Sequence, residues 1–206
     1  MSLRKNPPLP KAPFGLLLVE GGDERAVYAA VLGPAAWANL RCWYGDGRDD
    51  LPALATLAAA DPNARFARAV GVVLDVEQGV TRALVIAGKA LAAFGGVGAP
   101  AHASFVNNSP ALGAFLAPDG VSHGSIETLC RQAVRDARLA ACVDALVGRA
   151  GSPHVLAAGA AKGWLQAYLG MLAEPGLRFH QAFSAPGGID PAHAVFDPLR
   201  QFLLAL

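Results

Sequence analysis

Two short stretches carry the residues best suited to chemistry. In LLLVEGGDE (16–24), Glu20 closes an apolar run, and Asp23 and Glu24 follow two glycines. In GVVLDVEQG (71–79), Asp75 closes a second apolar run and Glu77 lies two residues later. In an open α/β sheet, ligands bind beyond the carboxyl ends of parallel strands. If the two runs are neighbouring strands, Glu20, Asp75 and Glu77 meet on one edge of the sheet. Carboxylates brought together repel and raise one another's pKa unless a cation neutralises them. All-oxygen donors suit a hard divalent ion, Mg²⁺ or Mn²⁺.

The elements around them read as alternating strands and helices. Phe14–Val19 has the unbroken apolar pattern of a strand buried on both faces. A helix is expected from Asp23 up to Gly33-Pro34, with Asp23 as its cap. Strands are expected at Leu40–Tyr44 and Val70–Leu74, and helices at Leu51–Ala60 and Thr81–Phe94. GDGRDD (45–50) reads as a turn. Two more short strands, Ala103–Val106 and Gly113–Leu116, precede a long helix over Ser125–Leu146 with Ser125 as its cap. A helix over about 154–172, the loop APGGIDPAH and a last amphipathic helix from Phe196 complete the chain. The β-α-β-α-β-α order predicts an open, mostly parallel α/β sheet flanked by helices, with a C-terminal helical elaboration from about residue 150.

Composition narrows the function classes. With 53% hydrophobic and 16% charged residues, the chain of 206 buries a substantial core, expected as a single domain over 14–206. A formal net charge of +1 gives no global footprint for nonspecific nucleic-acid or membrane binding. Cys42, Cys130 and Cys142 have no CxxC spacing, which argues against a disulfide framework or thiolate zinc site and fits the cytoplasm. The basic, proline-rich start MSLRKNPPLPKAPFG is expected as a flexible arm over residues 1–13. No apolar stretch reaches membrane-spanning length. The histidines form no H-x-x-x-H pair, and G-x-S-x-G, G-x-x-x-x-G-K-[ST] and G-x-G-x-x-G after the first strand are all absent.

LLLVEGGDE and GVVLDVEQG resemble the Toprim domain of topoisomerases, primases and related nucleases, where a Glu closes the first strand and an acidic pair a later one. With HGSIETLC (123–130), AKGWLQAYL (161–169) and the tail GGIDPAHAVFDPLRQFLLAL, the chain is similar to a family of small prokaryotic Toprim-like proteins from Leu16 onward. The resemblance implies a catalytic Glu20, an extra acid at Glu24 as in OLD-type nucleases, and metal ligands at Asp75, Glu77 and Glu127. It also implies a late catalytic lysine at Lys162. Glu77 stands where the second Asp is usual. The implied activity is Mg²⁺- or Mn²⁺-dependent phosphodiester chemistry, a nuclease acting on DNA or RNA. The alternative is a non-catalytic metal- or nucleotide-binding module that works through a protein partner.

Each residue also has a plainer reading. Glu24 and Glu127 near helix starts are favoured by the helix dipole alone. Lys162 can be a solubilising surface lysine. Arg131, Arg135 and Arg138 recur at helical spacing, as a phosphate-steadying stripe or a solvated face.

Overall fold

A computed structural model describes residues 6–150, 160–172, 177 and 179–206. Five strands form one sheet: β1 (Phe14–Val19), β2 (Leu40–Tyr44), β3 (Ala67–Asp75), β4 (Ser104–Val106) and β5 (Ala111–Ala117). Their order is β2-β1-β3-β5-β4, parallel except for β4, which runs antiparallel to β5 on the edge. The protein is therefore α/β, with a mostly parallel sheet flanked by helices. Leu18 of β1 lies opposite Val72 of β3, and Asp75 opposite Ala117 of β5, so the ends of β1 and β3 are adjacent.

Side chains alternate across a strand, so each run of apolar residues serves two faces. Leu16, Leu18, Val70, Val72 and Leu74 point into a core shared with α3 (Leu51–Ala60) and α4 (Val80–Ala92). Leu17, Val19, Val73 and Phe115 enter a second core with α1 (Gly22–Leu32), α5 (Ile126–Gln132), α7 (Ala160–Gly170) and α8 (Asp197–Leu204). Burying each leucine of this set contributes roughly 1.5–3 kcal/mol before conformational entropy is charged against it. Two further helices among the described residues are α2 (Pro34–Trp37) and α6 (Ala137–Ala150).

The expected long helix over Ser125–Leu146 is two helices, because the backbone between them has other partners. Ala133 O accepts from Asp190 N–H at 2.8 Å, and Arg135 N–H donates to Gly188 O at 2.8 Å. Val134 bridges Ile189 in antiparallel fashion, and Asp136 Oδ1 restarts the chain as α6 by accepting from the amides of Arg138 and Leu139. The arginine stripe is thereby dispersed. Arg131 pairs with Asp144 at 2.9 Å and lies over Trp164, whereas Arg135 pairs with Asp190 at 3.6 Å.

Two other expectations change. From Asn6 onward the expected flexible arm is docked. Asn6 Oδ1 accepts from Tyr44 N–H, Trp43 Nε1 donates to Pro7 O, Asn63 Nδ2 donates to Leu9 O, and Leu9 is buried. Prolines that cannot join a ladder still offer carbonyls to an indole and pack as apolar surface. Asp23 is not the cap of α1: Gly21 is, and Asp23 stands in the first turn. For the helix expected over 154–172, residues 154–159 lie outside the described residues, and α7 starts at Ala160. No described helix is long and apolar enough to cross a membrane.

Where α8 and Leu206 close over the sheet there is no room for a side chain. A Cβ on Gly15 would stand 2.5 Å from Leu206 O and 2.6 Å from Leu40 Cδ2. In α7, by contrast, a Cβ on Gly163 meets nothing within 4 Å. Gly15→Ala is expected to destabilise the fold by about 1–3 kcal/mol through overpacking. Gly163→Ala is expected to stabilise it by about 0.5–1 kcal/mol through helix propensity. Denaturant melts of the two variants check the opposite signs.

Candidate functional site

Parallel pairing of β1 with β3 decides where the acids lie. Glu20 follows the last residue of β1, and its Oε1 accepts from the Asp75 amide at 3.0 Å. That bond ties the two strand ends and aims both side chains at the carboxyl edge. Beyond Asp75 the chain turns through Val76–Gly79, whose Gly79 N–H bonds back to Val76 O at 3.2 Å, and this turn presents Glu77. Glu24 rises from the first turn of α1. Glu127 comes from α5, set by Ser125 at the N-cap and by the Thr128 hydroxyl accepting from Ser125 N–H at 3.2 Å.

The α5 N-terminus also reaches Asp75 directly: Ile126 N–H donates to Asp75 Oδ1 at 2.9 Å. α5 packs on α7, which carries Lys162, and Lys162 Nζ stands 3.8 Å from Glu127 Oε1. The Arg131–Asp144 pair and the Trp164 Nε1 bond to Asp144 at 2.8 Å fix α5, α6 and α7 to one another. Every site residue expected from the sequence is therefore at one edge of the sheet, although the ion pairs draw them into two groups.

The residue that sequence reasoning missed is Arg48, in the turn after β2. Its Nε donates to Glu20 Oε1 at 3.2 Å, and its terminal nitrogen lies 3.6 Å from Glu77 Oε2. Its side chain is only 9% exposed, against 60% for Lys162. Gly47 makes the approach possible: its φ of 147° starts the single 3-10 turn Arg48–Asp50 that points the arginine back at the sheet. The available signal was a lone cation inside GDGRDD, directly after the strand next to the one that Glu20 follows.

Burial dominates the electrostatics. Asp75 is 6% exposed, and loss of hydration pushes its carboxyl well above the usual range, with the charges of Glu20, Glu127 and Glu24 pushing the same way. Its bond from Ile126 N–H only partly opposes this. Glu24 is raised by burial and by Glu127 and Glu20, with Lys162 opposing. Glu77 is raised by burial, while Arg48 pulls it down. Burial and the nearby carboxylates also push the Tyr28 phenol, packed beneath them, well up. Among the described residues, ion pairs set Arg48 against Glu20 and Glu77, and Lys162 against Glu127, in a set that also holds the carboxyl groups of Glu24 and Asp75.

Two openings flank this set. A cleft of about 330 Å³ is walled by Glu20, Arg48, Glu77 and Arg82. A larger cavity of about 530 Å³ is walled by Asp23, Glu127 and Lys162 and by apolar side chains including Leu165 and Phe179. A carboxylate edge open to solvent on both sides is able to receive a cation or an ion-bound phosphate. Among the described residues, no group of three or more His, Cys, Asp or Glu side chains is disposed to hold a metal ion as they stand.

A family profile described as "Protein of unknown function (DUF3226)" matches residues 15–206. The chain belongs to the DUF3226 family. No curated protein and no solved structure matches it. The match spans β1 through α8, so the whole edge described above, from Glu20 to Lys162, lies within the DUF3226 region.

The raised Asp75 carboxyl gives this DUF3226 chain a pH-dependent stability with a definite sign. The folded state keeps a proton that the unfolded chain releases, so stability falls as pH climbs from the ordinary aspartate range through the folded value. Asp75→Asn retains Oδ1 as the acceptor for Ile126 N–H and removes the charge. It is expected to melt higher than wild type at about pH 8, by roughly 2–4 °C per kcal/mol gained, with the gap closing towards about pH 4. Thermal melts at the two pH values check it.

Proposed function

We infer that this protein carries out Mg²⁺- or Mn²⁺-dependent phosphodiester chemistry, most simply as a nuclease. The observation that carries the reading is the convergence of Glu20 and Asp75 at adjacent strand ends, joined by a 3.0 Å bond and surrounded by Glu24, Glu77 and Glu127. The Toprim resemblance of the same residues supports it.

The donor chemistry fits a hard divalent ion. All the donors are carboxylates, and burial with mutual repulsion holds Asp75, Glu24 and Glu77 above their usual pKa, a cost that a cation relieves. In the arrangement seen, Glu20 and Glu77 are turned to Arg48, and Glu127 to Lys162. Asp75, Glu77, Glu24 and Glu127 would hold the ion. When bound, it supplies positive charge to the transferring phosphoryl group.

The chain's own residues supply the rest. Glu20 Oε1 already accepts from Asp75 N–H and from Arg48, which leaves Oε2 to take the proton of an attacking water. The Asp75 amide fixes that carboxylate, so the base is positioned before substrate arrives. Lys162, exposed and close to Glu127, neutralises phosphate or the leaving oxygen. The cavity beside them, with Leu165 and Phe179 in its wall, offers apolar surface to a base or sugar.

Calorimetry with Mn²⁺ on wild type and Asp75→Asn tests the site. The variant is expected to lose binding even though it melts higher at neutral pH. No binding by wild type, or binding untouched by the substitution, removes the metal. Nicking of supercoiled DNA and cleavage of RNA test the reaction, with Glu20→Gln expected to lower the rate about 10²-fold or more. Metal binding without cleavage of either polymer would assign the site to a binding module that works through a partner.

A further inference from the structure

The carboxyl end of β5 supports the acidic edge in two ways. Asp75 lies opposite Ala117, and Val76 N–H, between Asp75 and Glu77, donates to Ala117 O at 3.0 Å. After Ala117 the chain turns through residues 118–124 into α5, whose Ile126 N–H holds Asp75. The turn packs on the helix it feeds: a Cβ on Gly124 would stand 2.8 Å from Thr128 Oγ1 and 3.1 Å from Pro118 Cδ. Whatever fixes this end of β5 therefore also fixes the surroundings of the acids.

β4 is too short to fix it. It pairs with β5 only from Leu112 to Ala114 and offers no backbone partner at Leu116. The side chain of His102 stands in. Its Nδ1 accepts from Leu116 N–H at 3.0 Å, while Leu116 O accepts from Gly120 N–H at 2.8 Å. Next to His102, Ala103 takes a left-handed backbone with φ 54°, a strained state for a residue with a Cβ, and its N–H bonds Ala114 O at 2.8 Å. The His102 ring centre lies 4.6 Å from that of Phe115, and a Cβ on Gly120 would run into the imidazole.

The Leu116 bond exists for one protonation state. An imidazole that accepts at Nδ1 carries its proton on Nε2, whereas the imidazolium has a donor at both nitrogens and no acceptor. Proton uptake sets N–H against N–H and leaves the strand-end donor unpaired. Burial holds the His102 pKa below the ordinary histidine value, and the charge of Asp119 opposes it. Asp119 is otherwise committed to its own turn, accepting from the amides of Val121 and Ser122 and from the Ser122 hydroxyl. A cavity of about 370 Å³ against the ring adds one more titratable wall residue, His123; Thr128 and Gln132 of α5 line it uncharged.

We propose that His102 is a proton-operated latch on β5: neutral, it holds the Leu116 amide and the turn into α5; protonated, it releases them and loosens the seat of Ile126 on Asp75. The device needs no ligand at the acids. The folded protein takes up this proton at lower pH than the unfolded chain does. The stability contributed by the latch is therefore full above the unfolded value of about 6.5 and is lost as pH falls through the folded one. Its slope with pH is opposite in sign to that of Asp75.

Amide hydrogen exchange read by NMR on the full chain tests the latch, with rates expressed as protection relative to an unstructured peptide at the same pH. In wild type, protection of Leu116 and Ile126 is expected to fall about tenfold or more from about pH 8 to about pH 5, with Val72 in the middle of β3 unchanged. His102→Asn keeps an acceptor oxygen on the atom that carries Nδ1 and does not titrate, so both amides should stay protected at both pH values. His102→Phe keeps a ring without an acceptor, and Leu116 should exchange fast at both. If His102→Phe does not fold, wild type against His102→Asn decides alone. Equal protection of Leu116 in wild type at the two pH values overturns the proposal, as does an acid loss that persists in His102→Asn. A loss confined to Leu116, with Ile126 unmoved, overturns the link to α5.

Discussion

The structure around the site depends on one constraint: β1 and β3 are adjacent and parallel, so any acid at the end of one meets any acid at the end of the other. Glu20 and Asp75 occupy those ends, and the amide of one residue bonds the carboxylate of the other at 3.0 Å. That bond satisfies an orphan backbone donor at the strand end but leaves two carboxyl groups side by side, which burial and repulsion keep from ionising freely. The surrounding elements offset what it leaves. The α5 N-terminus donates Ile126 N–H to Asp75, Arg48 comes in from the turn after β2, and Lys162 from α7 approaches Glu127. Burial prevents water from doing the same work.

Those elements reach the edge because the layer behind the sheet is tightly set. α8 lies against the sheet where Gly15 and Gly71 have no side chains, with Phe202 and Leu206 filling the space a Cβ would take on Gly71. Arg68 Nε bonds Leu206 O at 2.9 Å and holds that end down. Beside it, Tyr168 of α7 accepts from the Asp136 amide at 3.1 Å and donates to Gly187 O, which locks α7 to the break between α5 and α6. That break lets α5 be short, so its N-terminus can point at Asp75 while α6 turns away. A single continuous helix through this region would carry no pairing with residues 188–190 and no fixed place for α7.

The strands and most helix positions were legible because they follow local rules: unbroken apolar runs bounded by glycine, proline and acid. β1, β2 and α3 fall where periodicity puts them. The acids were legible as a group because strand ends in α/β folds have a predictable fate. What escaped depends on distant partners. Nothing in IETLCRQAVRDARLA announces that Ala133–Arg135 will pair with Gly188–Asp190, since alanines and arginines favour helix on their own. Leu9 and Pro7 read as arm residues until Trp43 and Asn63 are seen to bind their carbonyls. Arg48 read as part of a polar turn, because its role exists only when β2 lies beside β1.

The arginine also gives meaning to the length of the acid at 77. In this fold the acid must reach across from the loop after β3 to a guanidinium carried by the loop after β2, two strand positions away. An Asp at residue 77 would be shorter by one carbon–carbon bond, about 1.5 Å, and Glu77 as it is comes only to 3.6 Å of Arg48. A shortened acid would leave the guanidinium on Glu20 alone, and a nearly buried arginine held by one contact is poorly compensated. Glu77 and Arg48 are thus two halves of one arrangement, in which the longer acid lets one guanidinium contact two strand ends.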